Sequence, residues 1–321
     1  MSSSERPADG SESRVPRPPH PQERREPLPG HLPKPNHEDP GAAERVEAIL
    51  ASPSYRQADG DLDFLAGYET RGVRLQIDYL KPELHMAKHG VVDTVVVFGS
   101  TRIVEPASAR SRLEKARKDF AREQSAAARE KLAIAERILE KSHYYEVARE
   151  FGALVGAAGD RPEGQRLAIV TGGGPGIMEA ANRGAFDVGA QSVGLNITLP
   201  REQFPNPYVT PDLCFSFHYF ALRKLHFLLR ARALVAFPGG YGTFDELFET
   251  LTLVQTRKIA PLPIVLVGES YWRRAFDVDF LVDEGVIAAE DRELFWYAET
   301  AEQIWRDIRC WHERAGKPLA P

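Results

Sequence analysis

Five apolar, β-branched runs recur along the chain: Thr94 to Phe98, Leu167 to Thr171, Ser192 to Leu199, Ala233 to Phe237 and Ile264 to Val267, with a shorter candidate at Leu213 to Phe217. The stretches between them are long enough to hold crossover helices. Strands buried on both faces read as continuous apolar runs, and parallel neighbours need such crossovers. The alternation predicts an α/β fold, Rossmann-like and doubly wound, with a mainly parallel sheet and helices on both faces. Glycine or proline follows or flanks most runs, as expected where strands end in ligand-facing loops. At 321 residues and 43% hydrophobic content, the chain can bury a full core.

The ends of the chain differ from this middle. Residues 1–42 hold ten of the 24 prolines, charges of both signs and almost no large apolar groups. Such a composition cannot offset the entropy of ordering, and a disordered arm is expected. From 43 to 90 the pattern turns amphipathic, with Val46, Ile49, Leu50, Phe64, Leu65, Val73, Leu75 and Leu80, and predicts two or three helices laid against the main domain. That domain is expected over 91–315. Inside it, residues 108–157 form a long helical insertion with an apolar seam at Leu113, Ala116, Phe120, Ala127, Ile134 and Ile138. It packs on its own domain or a second subunit, or serves as a partner-binding arm.

The net charge of −5 is spread through mixed-sign segments, so no basic stripe points to nucleic acid. No apolar run approaches the roughly 20 residues of a membrane helix. Two distant cysteines, Cys214 and Cys310, and an N-terminus without an apolar signal core predict a reduced, cytoplasmic protein. The nine histidines form no H-E-x-x-H, and there is no Cys-x-x-Cys, so no metal site is expected. His218 and His226 are read as packing or surface residues.

Two glycine loops open at strand ends. The first, Gly172-Gly173-Gly174-Pro175-Gly176, precedes a helix with Pro175 near its first position and Glu179 in its first turn. It is either a ligand loop or simply a tight turn. The second, Pro238-Gly239-Gly240-Tyr241-Gly242-Thr243, stands between the run ending at Phe237 and an acidic amphipathic stretch. Bare glycines let backbone amides converge on an anion, the helix start adds partial positive charge, and Thr243 supplies a hydroxyl. The amides of Gly239, Gly240 and Gly242 with Thr243 form the expected phosphate cradle. Neither loop is G-x-G-x-x-G or G-x-x-x-x-G-K-[ST]. A third strand-end loop, Phe98-Gly99-Ser100-Thr101-Arg102, reads as another ligand-side loop and leaves Arg102 a surface charge. Arg223 and Lys224 lie on a helix leading into the second loop, where cations are ordinarily solvated. Glu246, with Asp245 and Glu249, could merely favour a helix start.

Taken together, the words P-G-G-x-G-T-x-x-E at Pro238 to Glu246, Thr171 to Glu179 upstream, and Arg223-Lys224 between them resemble the Lonely Guy family of cytokinin-activating nucleotide phosphoribohydrolases, over roughly residues 92 to 300. The resemblance implies a nucleoside 5′-monophosphate substrate held by the cradle, hydrolysis at the bond between base and ribose, and no metal or organic cofactor. Cytokinin riboside monophosphates and AMP are the substrates it implies. Arg223 becomes the catalytic or substrate-orienting cation and Glu246 the catalytic carboxylate, since breaking an N-glycosidic bond develops positive charge on the ribose carbon. Gly99, Ser100, Gly172, Gly173, Gly174, Gly176, Lys224, Pro238, Gly239, Gly240, Gly242 and Thr243 become substrate contacts. Family members are usually dimers, so a homo-oligomer is expected. In compact plant-like members a Met-His pair commonly precedes the arginine, whereas Phe220, Ala221 and Leu222 stand here. Gln255-Thr-Arg-Lys-Ile and the long insertion look more like the longer bacterial branch. Two rival readings remain: a non-catalytic carrier of a nucleotide or the molybdenum cofactor, and a lysine decarboxylase, for which Lys224 is the motif-associated candidate for a Schiff base.

Overall fold

The computed structural model describes residues 34–159, 162–198 and 204–319, and these fall into two compact units divided between Tyr68 and Glu69. Most of the proline-rich arm expected over 1–42 lies outside the described residues. The first unit carries α1 (Ala42–Ala51) and α2 (Leu62–Ala66), the latter capped by Asp61, whose carboxylate accepts from the Phe64 N–H at 3.1 Å. The second unit opens with α3 (Arg71–Lys88). This helix is tied into the sheet-bearing unit: Met86 is buried in its core, Glu83 takes two hydrogen bonds from Arg230, and Asp78 accepts the N–H groups of His218 and Tyr219. The helical stretch expected over 43–90 is therefore shared between the two units.

The sheet has seven strands: β1 (Val91–Phe98), β2 (Arg166–Thr171), β3 (Ser192–Ile197), β4 (Cys214–Phe217), β5 (Ala231–Ala236), β6 (Ile264–Val267) and β7 (Trp296–Ala298). They run in the order β4-β3-β2-β1-β5-β6-β7, every neighbouring pair parallel. The short candidate run is the edge strand β4, and β7 is a strand that no apolar run announced. Alternate residues feed two cores, one on each face. Val95, Val97, Ile169 and Val235 pack under α6 (His143–Ala157), α7 (Ile177–Asp187) and α12 (Ala301–Arg314), with Phe151, Ile177 and Ile304 fully buried. Val96, Phe98, Leu195, Leu234 and Leu266 pack under α8 (Phe220–Leu229), α9 (Tyr241–Gln255) and α10 (Glu269–Ala275), with Phe227, Leu247 and Trp272 buried. Between α10 and β7 lies the short α11 (Val278–Asp283). This is the doubly wound α/β arrangement.

The stretch 108–157 is not one extended helix. It breaks into α4 (Pro106–Glu123), α5 (Ala126–Lys141) and the crossover helix α6. Gln124 adopts the left-handed conformation (φ 47°), and the Ser125 hydroxyl accepts from the Ala128 N–H (3.1 Å) to start α5. α4 and α5 pack on one another as a hairpin, and Tyr145, Ala148, Phe151 and Val155 of α6 enter the core. Of the expected seam, Leu113 is buried, while Ala127 and Ile134 are exposed and Ala128 is the buried alanine of α5.

Strand order reverses at the centre of the sheet, where β1 neighbours both β2 and β5. In open α/β sheets the crevice beyond the carboxyl ends of such a strand pair is where ligands bind. Here the loops after β1 and β5 are stitched together: the Phe237 N–H donates to the Phe98 carbonyl (2.8 Å) and the Ser100 N–H to the Pro238 carbonyl (3.0 Å).

Candidate active site

A cleft of about 560 Å³ opens at this switch point. Its floor is the second glycine loop. Gly239 has no room for a side chain, because the Thr243 hydroxyl occupies the place of its Cβ, and its carbonyl accepts a hydrogen bond from the Tyr271 hydroxyl. The Gly240 carbonyl takes the N–H groups of Thr243 (2.9 Å) and Phe244 (3.1 Å), closing the first turn of α9. The earliest amides of a helix have no carbonyl partner within it, so those of Tyr241 and Gly242 suit an anion. Pro238, Gly239, Gly240, Gly242 and Thr243 all line the cleft, and Thr243 is only 5% exposed.

Gly99 and Ser100 form the facing wall. A Cβ on Gly99 would meet Ile177 of α7, and the Ser100 hydroxyl accepts from the Arg102 N–H (3.1 Å). Arg102 lines the cleft as well.

The first glycine loop sits behind this wall, and Gly172, Gly173, Gly174 and Gly176 are not among the lining residues. Gly172 backs onto the guanidinium of Arg223. Gly173 is left-handed (φ 68°); its N–H donates to the Thr171 hydroxyl (2.9 Å) and its carbonyl accepts from the Asn206 N–H (2.8 Å). The Gly174 carbonyl accepts from the Asn206 amide (3.1 Å), which also reaches Asn182 (3.0 Å). Gly176 (φ 75°) presses on the Ser100 carbonyl and is the N-cap of α7, so Pro175 precedes the helix instead of opening it.

Arg223 and Glu246, 23 positions apart in sequence, line the same cleft. Burial on α8 lowers the Arg223 pKa, opposed by the charges of Glu246 and Asp245. It stays a cation, as guanidinium does in proteins. Its Nε donates to the Leu195 carbonyl (2.9 Å), and the group lies over the rings of Phe220 (5.2 Å) and Phe227 (5.3 Å). Glu246 stands in the second turn of α9 and is 6% exposed, so it is not an acid decorating a helix start. Burial pushes its carboxyl up to about 7, against the pull of Lys224 and Arg223, with Glu249 and Asp245 adding to the rise. A carboxyl poised near neutrality can both take and release a proton.

Lys224 does not line the cleft. Its ammonium is clamped by Asp245 (2.8 Å) and Glu249 (2.9 Å). Burial draws its pKa down, but those two carboxylates outweigh it and hold the group above the ordinary lysine value. Four lining residues carried no clear sequence signal: Tyr271 on α10, Ile138 and Lys141 at the end of α5, and Phe220 at the start of α8. Tyr271 follows the strand-end Gly268, and that position, one strand beyond the cradle, was the signal available.

A family model described as "Possible lysine decarboxylase" matches residues 178–308, from the first turn of α7 into α12. A cytokinin riboside 5′-monophosphate phosphoribohydrolase of Arabidopsis thaliana is 27% identical over 188 residues, covering 56% of this chain and 82% of that one. The similarity is to the Lonely Guy family. A second such phosphoribohydrolase, from Oryza sativa subsp. japonica, is 30% identical over 169 residues, 51% of this chain and 65% of its own. The chain thus spans under two thirds of the rice relative. The molybdenum cofactor binding protein of Rippkaea orientalis is 19% identical over 52% of this chain and 87% of its own, at a TM-score of 0.35, a likeness too slight to bear on function. Among the described residues, no helix is long and apolar enough to cross a membrane.

Proposed function

We propose that the chain hydrolyses the N-glycosidic bond of nucleoside 5′-monophosphates, with AMP and cytokinin riboside monophosphates as first substrates, releasing free base and ribose 5-phosphate. One observation carries this reading: a buried carboxyl pushed up to about 7 shares a cleft with a buried guanidinium and a glycine cradle. The cradle, with Gly99 and Ser100 opposite, holds the 5′-phosphate. Remote binding of this kind orients the sugar and supports work at the reacting carbon. The first glycine loop contributes by setting the position of Arg223 and of the Ser100 loop.

At the ribose carbon the C–N bond breaks with its electron pair leaving on the base, which takes up a proton from solvent, and a water oxygen forms the new bond. Glu246 stabilises the positive charge developing on that carbon and takes the water's proton. Arg223 orients the sugar. Phe220, exposed at the mouth beside Arg223, offers a face for a planar base. Lys224 stabilises the carboxylate form of Glu246 from outside the cleft. A lysine held protonated between two carboxylates is a poor Schiff-base nucleophile, which sets the decarboxylase reading aside. A carrier would need neither the buried carboxyl nor the guanidinium beside it.

We also infer a homo-oligomer. Val73, Ile77, Leu80 and Leu84 form an exposed apolar stripe on α3 that a second copy would cover. A monomeric mass in light scattering would count against it. For the activity, purified protein is incubated with a panel of nucleoside monophosphates and free base is measured by chromatography. Release of no base from any of them would overturn the proposal.

A further inference from the structure

A nucleoside monophosphate brings a phosphoryl group of about −1.5 to −2 charges at neutral pH, and the cradle meets it with neutral amides and a helix start equivalent to roughly half a positive charge. Full cations are needed to balance the rest. Arg102, Lys141 and Arg223 line the cleft. Arg223 is committed elsewhere, with its Nε on the Leu195 carbonyl and its guanidinium against Gly172, and Arg102 is exposed. Lys141 is half-buried and, among the described residues, forms no ion pair; its ammonium makes one long contact, to the Arg137 carbonyl at 3.4 Å.

The turn that carries Lys141 is fastened to the cradle. Ser142, buried between α5 and α6, donates its hydroxyl to the Leu139 carbonyl (2.7 Å) and so ends α5. Two residues on, the buried Tyr144 meets Phe237 edge-on, ring centroids 6.5 Å apart, and its hydroxyl takes the place of a Cβ on Gly268, where Pro238 also closes in. Phe237 and Pro238 lead straight into the glycines. Ile138 and Lys141, three apart on α5, share a face and both line the cleft, whereas Arg137 does not line it. A lysine in the last turn of a helix ordinarily serves that helix's own carbonyls. This one stands at a turn packed against the first residues of the cradle, and the α4–α5 hairpin, longer than a crossover requires, is what brings it there.

We propose that Lys141 is a phosphate-binding residue, the ammonium that balances the substrate's 5′-phosphate on the glycine cradle. The proposal rests on the nucleotide reading above and adds to it a contact supplied by the α4–α5 hairpin instead of the glycine loops.

The full-length protein is compared with Lys141→Ala, Lys141→Met, Lys141→Arg and Arg137→Ala, by base release from AMP and by calorimetry with AMP, ribose 5-phosphate and adenine. A contact remote from the reacting carbon is felt alike in ground and transition states, so Lys141→Ala is expected to raise the KM for AMP about tenfold and leave kcat within about twofold. AMP and ribose 5-phosphate are expected to bind about tenfold more weakly, and adenine as before. Lys141→Met keeps the packing of the stem and is expected to match the alanine; Lys141→Arg is expected to restore most of the affinity. Arg137→Ala is expected to change nothing. Added salt is expected to weaken AMP binding more in the parent than in Lys141→Ala. Unchanged affinity for AMP and ribose 5-phosphate in Lys141→Ala, or adenine weakened equally, would overturn the proposal and leave Lys141 a helix-end residue. If the parent released no base but bound ribose 5-phosphate in a manner dependent on Lys141, the hydrolase reading would fail and the phosphate contact would stand. Failure of the parent to bind either phosphorylated ligand would overturn both.

Discussion

The two glycine loops look alike in sequence and differ in what fills the space their glycines leave. Around Gly172, Gly173 and Gly176 that space is taken by the protein itself: the Arg223 guanidinium, the Asn196 side chain and the Ser100 carbonyl. At the second loop the protein fills that space only at Gly239, with Thr243, whereas Gly240 and Gly242 would carry a Cβ into open space, with nothing within 4 Å. Missing side chains therefore serve packing in the first loop and leave room for a ligand in the second. The helix after the second loop also carries Glu246, whereas the first acid of α7, Glu179, accepts a structural hydrogen bond from Tyr145 (2.8 Å).

The strongest test of this contrast is chemical. Glu246→Gln and Arg223→Ala are each expected to lower kcat on AMP by about 100- to 1,000-fold, the effect of removing one preorganised charged group. Glu179→Gln is expected to leave kcat within about twofold, since surface-type and structural substitutions away from reacting atoms change little. Equal losses at Glu179 and Glu246 would erase the distinction between the loops. The same carboxyl sets the pH profile: kcat/KM is expected to rise through about pH 7 as Glu246 ionises. A profile flat from pH 5 to 9 would remove Glu246 as the base.

Stability gives the second test. The folded state holds the Glu246 proton more tightly than the unfolded state, whose carboxyl titrates near 4.5. Its stabilising contribution is therefore complete below pH 4.5, declines as pH rises through about 7, and is gone above that. Against Glu246→Gln, which does not titrate, the parent is expected to lose about 3 kcal/mol across that window, as followed by urea unfolding. A difference independent of pH would mean that the carboxyl is not desolvated.

Legibility in the sequence followed the range of the forces involved. The parallel sheet was readable because strands buried on both faces must be apolar throughout. Trp296–Ala298 was too short to show, and it is a strand only because β6 offers it a partner. The hairpin inside 108–157 was obscured because its break at Gln124 and Ser125 has no glycine or proline, although Ser125 is a sound helix cap. Gly184 stands in the interior of α7 and reads locally as a weak point. Its reason is tertiary, since a Cβ there would strike the Arg149 carbonyl of α6. In the site, the glycine loop Pro238 to Thr243 was visible as a local pattern, whereas Arg223 and Glu246 were singled out by the family resemblance and not by their own surroundings in sequence. Tyr271 and Lys141 reach the cleft from elements distant in sequence and have no local pattern of their own, and Ile138 showed only as part of an apolar seam.

The two loops can also be separated by matched alanines. Gly176→Ala is expected to cost about 3 kcal/mol of stability, because φ 75° disfavours a side chain and the Ser100 carbonyl stands in its way. Urea unfolding at constant pH measures this. A loss under about 0.5 kcal/mol would mean that the first loop is not under packing constraint.

Gly240→Ala should do the reverse. Its backbone (φ −102°, ψ −156°) is open to any residue, and its Cβ meets nothing, so stability is expected to stay within about 0.5 kcal/mol of the parent. Nucleotide affinity is another matter, because the added methyl would stand where the proposed phosphate approaches the backbone of the α9 N-terminus. Weakening of AMP binding by about tenfold, with ribose 5-phosphate weakened in parallel and free adenine unaffected, is the expected result in calorimetry. Adenine and AMP weakened alike would place the base, not the phosphate, against Gly240. An unaltered AMP affinity would mean that the space left by the second loop is merely solvent, and the contrast between the two loops would then be one of packing alone.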